Sequence, residues 1–342
     1  MKLFIVFLLA LTNSFFSTCQ HESDGSSTCG CDTSIGEICR RLERLERQIE
    51  NCAGSDTQSS TVTVGKTCQR VKQENPDVQQ DGSYTLVDES GTEYDGYCDM
   101  TTDGGGWTLV ASIHDNDVSG RCTAGDKWSS ERGNNPQNAH GDGSWANNIT
   151  FGSVETATTR DYKSPAYFQV EAKNIMIWQV PNQVSSRTYS SSAYFKYRTT
   201  DGFLSQYGGN LRSLFADHFP LTSGVYSYPS DSGPSVPVVF DVGLSSEVLS
   251  HFPPNIQSSL EPGYIQFRAI STFLDAYALC PGVRNKPTSR YPSYACLGST
   301  GWNRYENYCG DFSGFKYPSS APGTGWSADE RLLSTTFLIF YR

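Results

Sequence analysis

Residues 81–110 begin Asp81-Gly-Ser-Tyr84-Thr-Leu86 and end Tyr97-Cys98-Asp99-Met100-Thr-Thr-Asp-Gly-Gly-Gly-Trp107-Thr-Leu-Val110. Two short runs of β-branched and aromatic residues flank a stretch of glycines. Only glycine reaches positive φ without steric cost, so this stretch reads as a turn between strands. A tryptophan immediately after such a turn anchors the next strand in a core. The same texture continues outward through SYTLVD, WTLVASI, NIMIWQV, VPVVFDV, GYIQFRAI and TTFLIFYR, separated by Gly/Asp/Asn turns. Helical patterns are few and short, with SEVLSHF the candidate. The expected fold class is therefore α+β: a loop-rich head of twisted antiparallel sheets with few short helices.

Composition narrows the functional classes. The chain has 342 residues, a formal charge of −10, 13% aromatic and only 18% charged residues. So many aromatics with so few charges collapse rather than stay disordered. An acidic surface repels phosphate, which disfavours nucleic-acid partners. No His-Glu-x-x-His spacing links any of His21, His114, His140, His218 and His251, and no Gly-x-Ser-x-Gly occurs, so the chain is read as a binder and not an enzyme.

Residues 1–18, MKLFIVFLLALTNSFFST, carry a short basic start, an apolar run and small residues, the pattern of a secretory signal peptide. No later run approaches the roughly 18 apolar residues of a membrane span. A secreted, extracellular protein is expected, with most of its eleven cysteines oxidised. In residues 19–52, Ile35, Ile38, Leu42, Leu45, Ile49 and Cys52 form an a/d seam, flanked by Cys29, Cys31 and Cys39. A seam this short is marginal in water. We read 19–52 as a coiled-coil stalk in which Cys29, Cys31, Cys39 and Cys52 join chains into a trimer or small oligomer. A lone amphipathic helix on the head is the alternative. Cys19, beside the cleavage site, is the odd cysteine. Residues 53–67 form a Gly/Ser/Thr linker, and 68–342 the head.

The Tyr-Cys-Asp-Met…Gly-Gly-Gly-Trp-Thr segment resembles the opening of fibrinogen-related domains. From about Cys68 to Arg342, the series VASIHDNDVSGRCTAGDKWSS, GDGSWANNITFGS, DYKSPAYFQVEAKNIMIWQVPN, GYIQFRA, CPGVR and CGDFSGF is similar to the intelectins, or X-type lectins. That resemblance implies a secreted, disulfide-linked oligomer that binds Ca²⁺ and recognises terminal vicinal diols on exposed microbial glycans. It implies the pairs Cys68–Cys98, Cys122–Cys309 and Cys280–Cys296. It also points to calcium loops containing His114 (through its carbonyl), Asp115, Asp117, Gly120, Gly125, Asp126, Asp142 and Asp311. The residue types suit the ion, since Ca²⁺ takes six to eight oxygen ligands and glycines let a loop wrap it. Ordinary turn-forming aspartates would look alike in isolation.

The sugar pocket departs from the family. Where intelectins carry Asn-x-Glu-His before a cysteine, this chain has Ser289-Arg290-Tyr291-Pro292-Ser293-Tyr294-Ala295 before Cys296. Glu306 stands near the family's other ligating glutamate, with Asn303 beside it. Tyr317 and Trp326 occupy the positions of the aromatic box in exchanged order. Either the specificity has changed, with aromatics, Glu306 and Asn303 binding a different ligand and weak or no calcium in the pocket, or replacement ligands keep the diol site. A further alternative is a structural or signalling fibrinogen-related protein whose head binds a protein partner. Asn148-Ile149-Thr150 is a glycosylation sequon, with Trp145 and Asp142 near enough in sequence to limit access to it.

Overall fold

The computed structural model describes residues 65–115, 127–128, 143–221, 228, 230–252, 254–272, 276–287, 295–300, 309–312 and 334–342. These lie within the unit Thr61–Arg342. The residues read as a signal peptide and as a stalk, with Cys29, Cys31, Cys39 and Cys52, fall outside the described residues.

The strands are β1 (Gly82–Val87), β2 (Glu93–Asp99), β3 (Trp107–His114), β4 (Tyr162–Lys163), β5 (Ile175–Pro181), β6 (Phe195–Arg198), β7 (Ser235–Pro237), β8 (Val239–Val242), β9 (Leu260–Pro262), β10 (Tyr264–Ile270), β11 (Ala276–Cys280), β12 (Val283–Asn285), β13 (Leu297–Thr300), β14 (Cys309–Gly310) and β15 (Thr335–Tyr341). The largest sheet runs β1-β2-β3-β15-β5-β6-β8, with β4 added beside β3. A second runs β14-β13-β11-β10-β7, and β12 pairs with β9. Every strand pair is antiparallel. The described residues are thus mostly β with few short helices, among them Ser245–Ser250 at SEVLSHF.

β3, β15 and β5 are buried on both faces, which explains why TTFLIFY and IMIWQV show no polar alternation. Phe337, Ile339 and Tyr341 enter one core with Ile175, Ile177 and Ile113. Leu338 and Phe340 enter the other with Trp107, Met176 and Trp178. Trp107 is fully buried, as its position after the glycine turn predicts.

Among the described residues the first helix, α1 (Cys68–Glu74), starts where the Thr67 side chain accepts from the Arg70 amide, a standard N-cap. Gly65 bridges to Leu86, so the last residues of the segment read as linker are part of the head. Two of the implied disulfides are formed: Cys68–Cys98 fastens α1 to β2, and Cys280–Cys296 joins the end of β11 to the residue before β13. Cys122 lies outside the described residues.

Candidate metal centre

The carboxylate-bearing end of β3 is built by its neighbours. β4 pairs with β3 through Ala111↔Lys163 and Ser112↔Tyr162, which brings Asp161 beside the end of β3. The chain reaches β4 alongside Phe151, whose amide and carbonyl both bond to Lys163. Gly152 makes that approach possible. It sits at φ +71°, and a Cβ there would stand 2.3 Å from the Asp161 carbonyl oxygen.

Asp161 then acts as a staple. Its Oδ1 accepts from the His114 amide at 2.9 Å and its Oδ2 from the Lys127 amide at 3.2 Å. A single carboxylate, only 5% exposed, thereby ties the residues on both sides of 116–126. The next residue, Trp128, donates its amide to Asp311 Oδ1 at 2.8 Å and its indole N–H to the Ser112 carbonyl at 2.8 Å. Asp311 is 2% exposed. Its main-chain oxygen accepts from the Gly298 amide, which brings the second sheet to the same place.

Asp115 completes the acidic group. Its Oδ1 accepts from the Asn182 amide group, and Asn182 Oδ1 in turn accepts from the Thr336 hydroxyl at 2.7 Å. His114 Nε2 stands 3.7 Å from the same carboxylate. Burial pushes the Asp115 carboxyl up to about 7, and the nearby negative charge of Asp161 adds to that rise, against the Asn182 hydrogen bond. An added cation would reverse this balance.

Among the residues named from sequence, His114, Asp115 and Asp311 are thus brought to the two ends of 115–128. Asp117, Gly120, Gly125, Asp126 and Asp142 lie outside the described residues. Among the described residues, no group of three or more His, Cys, Asp or Glu is close enough to hold an ion alone. The carboxylates of Asp115, Asp161 and Asp311 accept from the Asn182 amide group and from main-chain amides. Carboxylate oxygen is the ligand type that a hard cation takes. Asn303, Glu306, Tyr317 and Trp326 all lie outside the described residues.

Sequence reasoning missed Asp161, Asn182 and Lys163. Lys163 is 1% exposed, and its ammonium donates to the Ser144 carbonyl, to the Asn147 carbonyl at 2.7 Å and to Asn147 Oδ1 at 3.0 Å. The Tyr167 ring lies 4.6 Å from its nitrogen. Burial pushes this lysine down to about 7, while the three oxygens and the ring face offset part of that cost. Lys163 also holds the residue that precedes the sequon. It grips Asn147 while Asn148, Ile149 and Thr150 are exposed, and Trp145 is turned inward at 1% exposure. Trp145 therefore does not shield Asn148; Asp142 lies outside the described residues.

No protein-family model matches the chain. Among solved structures, the chain is similar to the fibrinogen-like globe domain of human ANGPTL6, at 14% identity and a TM-score of 0.33, over 84% of this chain and 98% of that one. It is also similar to lamprey fibrin D-dimer complexed with the peptide ligand Gly-His-Arg-Pro-amide, at 12% identity and a TM-score of 0.21, over 58% of this chain and 53% of that one. Likeness at this level assigns neither a ligand nor a partner.

Proposed function

We propose that the protein is a secreted, disulfide-linked oligomeric lectin whose head is organised by structural Ca²⁺ and binds exposed glycans, with a sugar specificity altered from that of the intelectins. One observation supports the reading most directly. Asp161 accepts from the His114 and Lys127 amides, Asp311 accepts from the Trp128 amide, and Asp115 follows His114, so carboxylates from three remote stretches of sequence flank residues 116–126. Hydrogen bonds offset part of the cost of burying these carboxylates, and calcium would neutralise the charge that remains.

When bound, calcium would neutralise these carboxylates and stiffen the loops around them. Asp115, Asp311 and the His114 carbonyl would hold it, together with Asp117, Asp126, Asp142 and the main chain at Gly120 and Gly125. Asp161 has both oxygens engaged by main-chain amides, so its part is to position the ligands. The glycan would lie against Tyr317 and Trp326, with Asn303 and Glu306 as polar partners. Single lectin pockets bind weakly, so the stalk multiplies affinity by presenting several heads at once.

Glycan-array binding of the full chain with calcium and with EDTA tests the reading. Binding to glycans that EDTA abolishes is expected. Binding that survives EDTA would remove calcium from the sugar site. An array with no glycan bound in either condition would overturn the lectin reading in favour of a fibrinogen-related protein with a protein partner.

A further inference from the structure

A cavity of about 280 Å³ lies between α1 and the glycine turn that precedes β3, lined by Gln69, Lys72 and Gln73, by Gly104 to Gly106 and by Arg342. We propose that it is a subsite for an acidic sugar, a monosaccharide unit carrying a carboxylate. The proposal uses none of the calcium residues and stands or falls apart from them.

Charge comes first. The lining contains the cations Lys72 and Arg342 and no Asp or Glu side chain. Arg342 lies with its guanidinium 4.3 Å from the Trp107 ring and paired to Asp103, so its charge is largely met. Lys72 differs. Its ammonium donates to the Met100 carbonyl at 2.6 Å and the Gly104 carbonyl at 2.8 Å, both neutral. An ammonium has three N–H donors, so one is left for an anion, on a side chain already fixed in place. Fixing it in advance removes much of the ordering cost of binding.

Shape comes second. Gly104, Gly105 and Gly106 all take positive φ, at 83°, 70° and 82°. A Cβ at Gly106 would lie 3.0 Å from the Gln69 Cα, so this wall is bare main chain set close against α1. The volume is more than an inorganic oxyanion fills and sits just below the roughly 300 Å³ at which small-molecule sites begin. Gln69 and Gln73, one helical turn apart and both exposed, add amide donors and acceptors that suit sugar hydroxyls.

The test is calorimetric titration of the full chain in EDTA with glucuronate, glucose and sodium sulfate. Saturable glucuronate binding is expected, with glucose at least about tenfold weaker and sulfate competing, the difference being one charge-assisted hydrogen bond. Lys72→Met should weaken glucuronate by about tenfold. Gln73→Glu, at an exposed position, should weaken it comparably by repulsion and does not disturb the turn, so it decides the matter if Lys72→Met does not fold. Equal binding of glucose and glucuronate, no saturable glucuronate binding, or unchanged binding in Gln73→Glu would overturn the proposal. Sulfate binding without glucuronate binding would overturn the sugar assignment.

Discussion

Asp161→Ala removes the staple at the base of the 114–128 segment. Two main-chain amides lose a charged acceptor, His114 at 2.9 Å and Lys127 at 3.2 Å. Hydrogen bonds to charged groups contribute about 1.5–3 kcal/mol each. Lys127 is exposed, so water replaces part of its loss, whereas His114 is half-buried. The sum is about 3 kcal/mol rather than 6. For a domain of this size roughly 2 °C is lost per kcal/mol, which gives a fall in Tm of about 6 °C. Asp161→Asn keeps one acceptor but turns an NH₂ toward a main-chain N–H, so it should recover no more than about half of that loss. Thermal unfolding in EDTA measures both variants. Hydrogen exchange supplies the local readout, because the His114 and Lys127 amides should lose protection together, ahead of the β15 amides. A Tm within about 1 °C of the parent, or exchange that rises evenly over the head, would refute the staple.

The remaining predictions concern ions, protons and covalent chemistry. Adding calcium should raise Tm, since a ligand bound only by the folded state at a hundred times its Kd contributes about 2.7 kcal/mol; Asp311→Asn should abolish most of that rise in a thermal-shift titration. Lys163 has its folded-state value pushed down to about 7 from the ordinary 10.5, so between those values the unfolded chain holds the proton and the folded chain does not. Its contribution to stability therefore rises with pH from about 7 to about 10.5, and urea titrations should show that slope flattened in Lys163→Met. Asn148→Gln should remove one glycan-sized mass shift on secretion from eukaryotic cells while leaving Tm unchanged, because Asn148 is exposed. Replacing Cys280 and Cys296 together by serine opens a bridge of sequence separation 16 and should cost about 3 kcal/mol in denaturant melts.

Most strands of the fold were legible in the sequence for a simple reason. Runs such as WTLVASI and TTFLIFYR combine β-branched and aromatic residues with bounding turns, and each became a strand, β3 and β15. VPVVFDV is instead divided at Val238 into β7 and β8, which belong to different sheets. Nothing in its local pattern distinguishes the two halves, because the break is set by which sheet each half reaches. At the candidate metal centre, His114, Asp115 and Asp311 are named by the family resemblance. Asp161 is not, because its role comes from β4 pairing beside β3, and DYKSP carries no loop signature. Lys163 was hidden for the opposite reason: a lysine in a short run looks solvated, and only the fold shows Tyr167 and the carbonyls of Ser144 and Asn147 closing over it.

β15 is the last of the described strands to be synthesised, yet it lies between β3 and β5 in the middle of the largest sheet. β1 to β3 pair with near neighbours in sequence, whereas β3 and β5 have their shared partner only once Thr335–Tyr341 is made. The two cores it fills cannot close before then. Without β15, both strands lack this partner, and an unpaired apolar sheet edge is the form most open to pairing with a neighbouring chain. For a protein expected to be made as several linked copies, this ties assembly to late folding: stalks would bring nascent heads together while each still lacks its central strand. Removing Thr335–Tyr341 should leave both cores open, read as loss of a cooperative thermal transition.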